Sequence, residues 1–277
     1  MIKHKYGQIF IHLVLIVLVI FSLLPFLNMI TVSMIPNTYV LPSKPQIIPK
    51  QFYFGNYITA WKGNNFSRYF LNSLFVTLVT TFLTIFVASL SGYGFARLNF
   101  PGKKVIFNIY IFSLMMPAVL ALISQFTILK GMGLVDTYTG LILLYVSGAV
   151  AGNTFFLKGF FETIPKELEE SVIIDGGNKW TIYTKIILPL SKPALGILGI
   201  GTFSGIWTEL FAALTVIKTQ SKRTLPIAIK LLQNGKATQW GVIFAASMIV
   251  LIPIIIIFII FNKNFINPSG TQGAVKG

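Results

Sequence analysis

The sequence predicts an all-α integral membrane protein, six transmembrane helices with a cytoplasmic helix-turn-helix loop between spans 4 and 5. Three observations carry that expectation. Of 277 residues 55% are hydrophobic and 10% charged, whereas a soluble domain carries about 25% charged residues. The charges that do occur bracket long uncharged intervals. Five of the seven acidic residues, Glu162, Glu167, Glu169, Glu170 and Asp175, fall within 14 residues of one another.

The uncharged intervals place the elements in order. Asp, Glu, Lys and Arg are absent from 6–43, 69–96, 105–129, 137–157 and 237–262, and 193–217 is interrupted only by Glu209. A helix crossing hydrocarbon needs about 20 apolar residues, which at about 1.5 Å rise per residue span about 30 Å. Spans are expected at about 9–34, 69–96, 105–129, 137–157, 193–217 and 237–262, in a single transmembrane domain covering 1–277. Lys3 and Lys5 before the first span imitate a secretory signal. The apolar stretch is long for such a signal and no small-residue cleavage site follows, so it is read as a retained span.

Lys3 and Lys5 face an uncharged exit as far as Lys44, and Arg97, Lys103 and Lys104 crowd the connection after span 2. By the positive-inside rule both features put the termini in the cytoplasm. The outer connections are then 35–67, a tight turn at 131–133, and 218–239. The net charge of +15 is read as cations that snorkel to lipid headgroups from the span ends, with no nucleic-acid partner. Cysteine is absent and histidine occurs only at 4 and 12, which argues against a disulfide framework, a thiol nucleophile or a zinc site. No catalytic residue and no metal ligand is assigned.

The acidic loop, 160–190, has its own punctuation. Pro165 suits a first helical position, and Glu167, Glu169 and Glu170 complement the positive end of a helix over about 165–174. Gly176 and Gly177 permit the backbone that ends it, Asn178 can cap a second helix over about 179–187, and Pro189 closes that helix. Spacing alone also fits an amphipathic connector on the membrane surface. Such helices usually present basic faces, and this one is acidic.

The run Glu170-Ser171-Val172, three residues, Gly176, nine residues, Ile186-Ile187-Leu188-Pro189 resembles the EAA loop of permease subunits of binding-protein-dependent ATP-binding-cassette importers. Ser171 and Val172 stand where that pattern has alanines. The wider chain resembles the carbohydrate-importer branch, the six-span maltose-type permeases, through Asn72-Ser73, Arg97-Leu98-Asn99-Phe100-Pro101-Gly102, Gly133-Leu134 with Thr137, Ile164-Pro165-Lys166-Glu167-Leu168-Glu169-Glu170 and Gly273-Ala274-Val275-Lys276-Gly277. Trp207-Thr208-Glu209 stands where the branch has Trp-Asn and an acid.

The resemblance implies a coupling helix that docks on a nucleotide-binding subunit, with Glu167, Glu169, Glu170, Ser171, Asp175, Gly176, Ile186, Leu188 and Pro189 as its site. It further implies a related permease subunit as heterodimer partner, two ATPase subunits carrying ATP and Mg, and an extracellular or periplasmic solute-binding protein, all in a bacterial cell membrane. No cofactor is expected in this chain.

A nucleotide site of its own would need a P-loop, whose backbone amides and Lys cradle phosphates. Gly102-Lys103 is followed by Lys104, and Arg97 occupies the place of the earlier Gly. Gly92-Tyr93-Gly94 starts a dinucleotide-like pattern that Arg97 breaks. The pairs Gly148/Gly152 and Gly201/Gly205 read as small faces for close helix packing.

Glu209, the one acid inside an expected span, costs at least ~2.5 kcal/mol there unless it faces protein or water. It reads either as a buried hydrogen-bond partner of a neighbouring helix or as a wall of the solute pathway, with Trp207 as a stacking face; Asn153 in span 4 and Gln125 in span 3 are weaker candidates of the same kind. The expected activity is sugar or oligosaccharide import by alternating access. A self-sufficient secondary transporter or channel is the alternative, although such carriers usually need several intramembrane ionisable groups.

Overall fold

The computed structural model describes residues 2–36, 38–40, 46–49, 51–233 and 239–266, so the Gly273–Gly277 motif lies outside the described residues. Every regular element among the described residues is helical: α1 (Ile2–Ser33), α2 (Gly55–Lys62), α3 (Phe66–Arg97), α4 (Lys103–Met115), α5 (Ala118–Gly131), α6 (Tyr138–Glu162), α7 (Glu167–Ile174), α8 (Lys179–Ile182), α9 (Leu188–Leu190), α10 (Lys192–Trp207), α11 (Phe211–Val216), α12 (Leu225–Gln233) and α13 (Trp240–Ile266). Four uninterrupted helices are long and apolar enough to cross a membrane, α1, α3, α6 and α13. The remaining two expected spans are bent pairs, giving up to six crossings.

The third span, expected as one helix over 105–129, is instead α4 and α5 meeting at 113°. Pro117 lacks an N–H, and its ring keeps the preceding residue out of the helical region. Met116 is accordingly extended, at φ −78° and ψ 129°. The fifth, expected over 193–217, stops at Trp207, passes through three non-helical residues and resumes as α11. A second bend of 73° precedes it, between the segment ending at Leu190 and α10.

The chain falls into two compact units, Met1–Arg68 with Ala228–Ile252, and Tyr69–Ile227 with Pro253–Gly277. In the first, Asn56 Nδ2 donates to the carbonyls of Ser33 and Ile35, both at 2.9 Å, and so closes the end of α1. Ser33 Oγ lies 2.7 Å from Tyr57 Oη, and Trp240 N donates to Thr38 O at 2.8 Å. Gly241 fits there because a Cβ would sit 2.5 Å from Asn56 Nδ2. Most of α1 exposes apolar side chains on all faces, as a lipid-facing helix does.

The second unit has two apolar cores. One gathers Val76, Leu129, Leu141, Tyr145, Ala213, Val216 and Ile227. The other gathers Ala88, Tyr93, Leu157, Phe161, Ile182, Tyr183, Ile187 and Ala194 at the loop end. Gly92 lets α3 approach α6 closely, since a Cβ would meet Leu157 Cβ at 3.1 Å and Lys158 N at 3.2 Å. In the Gly92-Tyr93-Gly94 run it is therefore Gly92 that serves packing.

Candidate coupling surface and solute cavity

The loop between α6 and α10 folds as a helix, a sharp turn and a helix. α7 starts at Glu167, two residues after Pro165, which remains outside it: Glu169 N and Glu170 N both donate to Lys166 O. Gly177 N donates to Val172 O at 2.8 Å and Gly176 N to Ile173 O at 3.0 Å, with Gly176 at φ +79°. That is the Schellman pair of bonds around a left-handed residue, which glycine adopts at no steric cost. Asn178 Oδ1 then accepts from Thr181 N at 2.9 Å and caps α8.

Pro189 does not close the second helix as expected. The backbone widens into a π-turn over Tyr183–Ile187, where Leu188 N reaches back to Tyr183 O, and runs on through Pro189 to Leu190. Widening the turn relieves the clash of a proline ring with the carbonyl four residues back. The helix breaks two residues later, at Ser191.

The acidic residues divide into two groups. Glu167, Glu170 and Asp175 are exposed, as are Ser171, Gly176 and Pro189, while Ile186 and Leu188 are half-buried. Glu169 is turned inward. Its Oε1 lies 2.7 Å from Arg97 Nε, with the side chains 10% and 4% exposed; neither atom is aligned for a hydrogen bond, so the contact is a buried ion pair. Arg97 also donates to Phe161 O at 2.7 Å and to Ile164 O, the carbonyls where α6 ends, where a cation is favoured. Glu169 therefore holds the loop to α3 and offers no carboxylate to a partner.

Sequence reasoning missed the apolar tip of the loop. Ile174 is 85% and Trp180 60% exposed, with Ile173 beside them. Large apolar side chains on a loop that also exposes Glu167, Glu170, Asp175, Lys166, Lys179 and Lys185 have the make-up of an interface, in which aliphatic or aromatic anchors are accompanied by polar groups. The available signal was apolar residues at the turn of an otherwise polar segment.

A cavity of about 920 Å³ opens among α4, α5, α6, α10 and α11. Gln125, Asn153 and Glu209 line it, together with Tyr145, Ser147 and Thr202. Asn153 Oδ1 accepts from Thr202 Oγ1 at 3.3 Å, which joins α6 to α10. Trp207 is not on the wall. Its ring is fully buried, 5.6 Å from the Phe70 ring edge-on and 5.6 Å from the Phe203 ring in a stack, so neither face is left for a solute.

Gly148, Gly152, Gly201 and Gly205 also line the cavity. A Cβ at Gly148, Gly201 or Gly205 would meet nothing within 4 Å, which corrects the expectation of close packing within this chain.

Glu209 lies in the break between α10 and α11, not in a helix. Its carboxylate accepts from Ala212 N at 2.9 and 3.1 Å, from Ala213 N at 3.2 Å and from Tyr145 Oη at 2.7 Å. The free amides that begin α11 and the hydroxyl of a neighbouring helix thus compensate a charge that hydrocarbon would penalise.

At the other end of this unit, Asp136 takes φ +61° and gathers the chain after α11. It accepts from Lys218 N and Thr219 N, each at 2.9 Å, and from Thr219 Oγ1 at 2.5 Å, while Lys222 Nζ donates to its carbonyl at 2.6 Å. The Thr219 hydroxyl first, then the Thr219 and Lys218 amides and the Lys222 charge, hold its carboxyl well below the usual carboxylate range. Its contribution to order is therefore complete above the unfolded value of about 3.9 and is lost as pH falls through the lower folded value. Between pH 5 and 7, Asp136→Ala is expected to speed amide exchange at Lys218 and Thr219, with no pH dependence of that exchange protection in the parent. Equal exchange in the two proteins would refute the anchor.

Residues 82–267 match the family model of the binding-protein-dependent transport system inner membrane component. The trehalose transport system permease protein SugB of Mycobacterium tuberculosis is 33% identical over 259 residues, which is 93% of this chain and 93% of that protein. The galactooligosaccharides transport system permease protein GanQ of Bacillus subtilis is 29% identical over 280 residues, 100% of this chain and 98% of that protein. Among solved structures, a chain of a bacterial ABC transporter involved in the import of the acidic polysaccharide alginate superposes with a TM-score of 0.81 at 20% identity, covering 94% of this chain and 96% of that one. That likeness is one of fold.

Proposed function

The chain belongs to the binding-protein-dependent transport system inner membrane component family, and from that premise we propose that it is the permease subunit of an ATP-driven importer that takes a sugar or oligosaccharide into a bacterial cell. The carrying observation is the helix-turn-helix loop of α7 and α8, which exposes Ile174 and Trp180 next in sequence to exposed Asp175 and Lys179. The trehalose and galactooligosaccharide permeases among its relatives support the solute class.

On this reading the chain sits multi-pass in the cell membrane with both termini in the cytoplasm. It pairs with a related permease, two copies of an ATPase subunit that hold ATP and Mg, and a solute-binding protein outside. ATP draws the two ATPase subunits together; each carries a docked loop with it, and the pathway opens outward. Glu167, Glu170, Ser171, Asp175 and Gly176 form or shape the docking face, while Ile186, Leu188 and Pro189 set the helix that carries it. Gln125, Asn153 and Glu209 line the solute path through this subunit.

Co-purification in mild detergent, followed by reconstitution, tests the reading. A related permease and an ATPase subunit are expected to accompany the chain, and uptake is expected only with both and ATP. Uptake by the chain alone, or tight nucleotide binding by it without an ATPase subunit, would refute the assignment. Gly176→Val places a β-branched residue at φ +79° and costs at least about 1–2 kcal/mol locally. It is expected, like Glu170→Lys, to abolish solute-stimulated ATPase activity while leaving membrane insertion intact. Normal stimulation in both variants would place the docking face elsewhere.

A further inference from the structure

We propose that α3 is a third arm of the coupling device, carrying the movement of the α7/α8 loop to the chain segment at 217–225; the inference rests on reading that loop as the coupling element. The loop is covalently joined only to α6 and, through α9, to α10. Yet α3 meets it along one stripe, Ser89, Tyr93 and Arg97, spaced four residues apart on a single face. Each binds a different part of the loop.

Ser89 Oγ donates to Phe86 O at 2.9 Å, so the 2.7 Å contact with Tyr183 Oη is a bond that Tyr183 donates. Tyr93 Oη donates to Lys179 O, at the first turn of α8, at 3.1 Å, and its ring lies 5.1 Å from that of Tyr183. Arg97 reaches Glu169 of α7 at 2.7 Å. Ser89, Tyr93 and Tyr183 are buried. One contact would leave a pivot. Three, spread over about 12 Å of helix, resist both sliding and rotation of α3 against the loop.

The far end of α3 is tied as firmly. Asn72 Nδ2 donates to Ser221 O at 3.0 Å and Arg223 O at 2.9 Å, and Ser73 Oγ accepts from Leu225 N at 2.7 Å. α3 runs as one unbroken α-helix from Phe66 to Arg97, with no proline between these ties and Arg97, so the two sets of ties sit on a single continuous element. The segment that Asn72 and Ser73 hold is the one Asp136 gathers on its other side. A displacement of the loop by the ATPase thus reaches the opposite end of this unit through α3 without passing through the cavity wall.

Ser89→Ala with Tyr93→Phe removes two ties and almost no volume. In proteoliposomes holding the full complex, this variant, and separately Asn72→Ala, is expected to assemble at parent yield while solute stimulation of ATPase activity and solute moved per ATP both fall at least about fivefold. Tyr183→Phe removes the same bond as Ser89→Ala, so combining these two should add little to either alone. Parent-level stimulation and stoichiometry in the assembled Ser89→Ala/Tyr93→Phe complex would overturn the proposal; if that variant does not assemble, the same readings on Tyr183→Phe decide it. Ile174→Asp separates the two layers of the argument. Full pairing of that variant with the ATPase would sink the coupling-loop reading itself, whereas lost pairing together with parent-level stimulation in the α3 variants would sink only the role of α3.

Discussion

Arg97→Ala is expected to destabilise the loop end of the protein by about 3–5 kcal/mol, because it leaves Glu169 as an uncompensated charge in a buried site. The side chain it removes is 4% exposed and makes three contacts, to Glu169, Phe161 O and Ile164 O. Arg97→Lys should be nearly as harmful. An ammonium is a single point charge and cannot serve a carboxylate and two carbonyls from fixed directions as a guanidinium does.

Arg97→Met combined with Glu169→Leu should recover most of the loss, since removing both charges restores an apolar contact instead of stranding one ion. Recovery should stop short of the parent by about 1–3 kcal/mol, the cost of Ile164 O left without a donor, since Phe161 O still accepts from Ile164 N at 3.2 Å. Thermal unfolding of the purified chain in detergent, with the complex as a second readout, measures all three. An Arg97→Ala protein that melts with the parent would show that the pair is solvated and that α7 is held by its apolar contacts alone.

The order of the long apolar helices was legible in the sequence because a bilayer excludes charge, and charge positions are visible residue by residue. Their straightness was not. An uncharged interval such as 105–129 reports that hydrocarbon surrounds it and says nothing of helix direction; only Met116-Pro117 carried the bend. In the loop, the caps at Gly176 and Asn178 could be read because they depend on local backbone chemistry.

Which acid faces a partner could not be read that way. Glu169 and Glu170 are neighbours about 100° apart on a helix, and only the arrival of Arg97, 72 positions upstream of Glu169, makes one structural and leaves the other exposed. The same limit explains Trp207 and the glycines of α6 and α10. Their residue types suggested a stacking face and tight packing, but the direction each points is set by helices distant in sequence.

Glu209 is where that distinction has its largest consequence for transport. Glu209→Ala strands two amides of α11 and the Tyr145 hydroxyl, and at about 1–3 kcal/mol for a buried group left unpaired the combined loss should exceed that of any other single change at the cavity. The variant is expected to assemble poorly and melt early. Glu209→Gln keeps an acceptor oxygen for the α11 amides, and its amide can turn a donor toward Tyr145 Oη, which can accept. It should assemble as the parent does. What it removes is the negative charge in a largely apolar wall whose other polar side chains, Ser113, Gln125, Tyr145, Ser147, Asn153 and Thr202, are neutral residue types, so apparent solute affinity or uptake rate should change while yield and melting do not. Parent-like transport by the Gln variant beside failed assembly of the Ala variant would confine Glu209 to holding α6 and α11 together and leave the solute to the neutral groups of the wall.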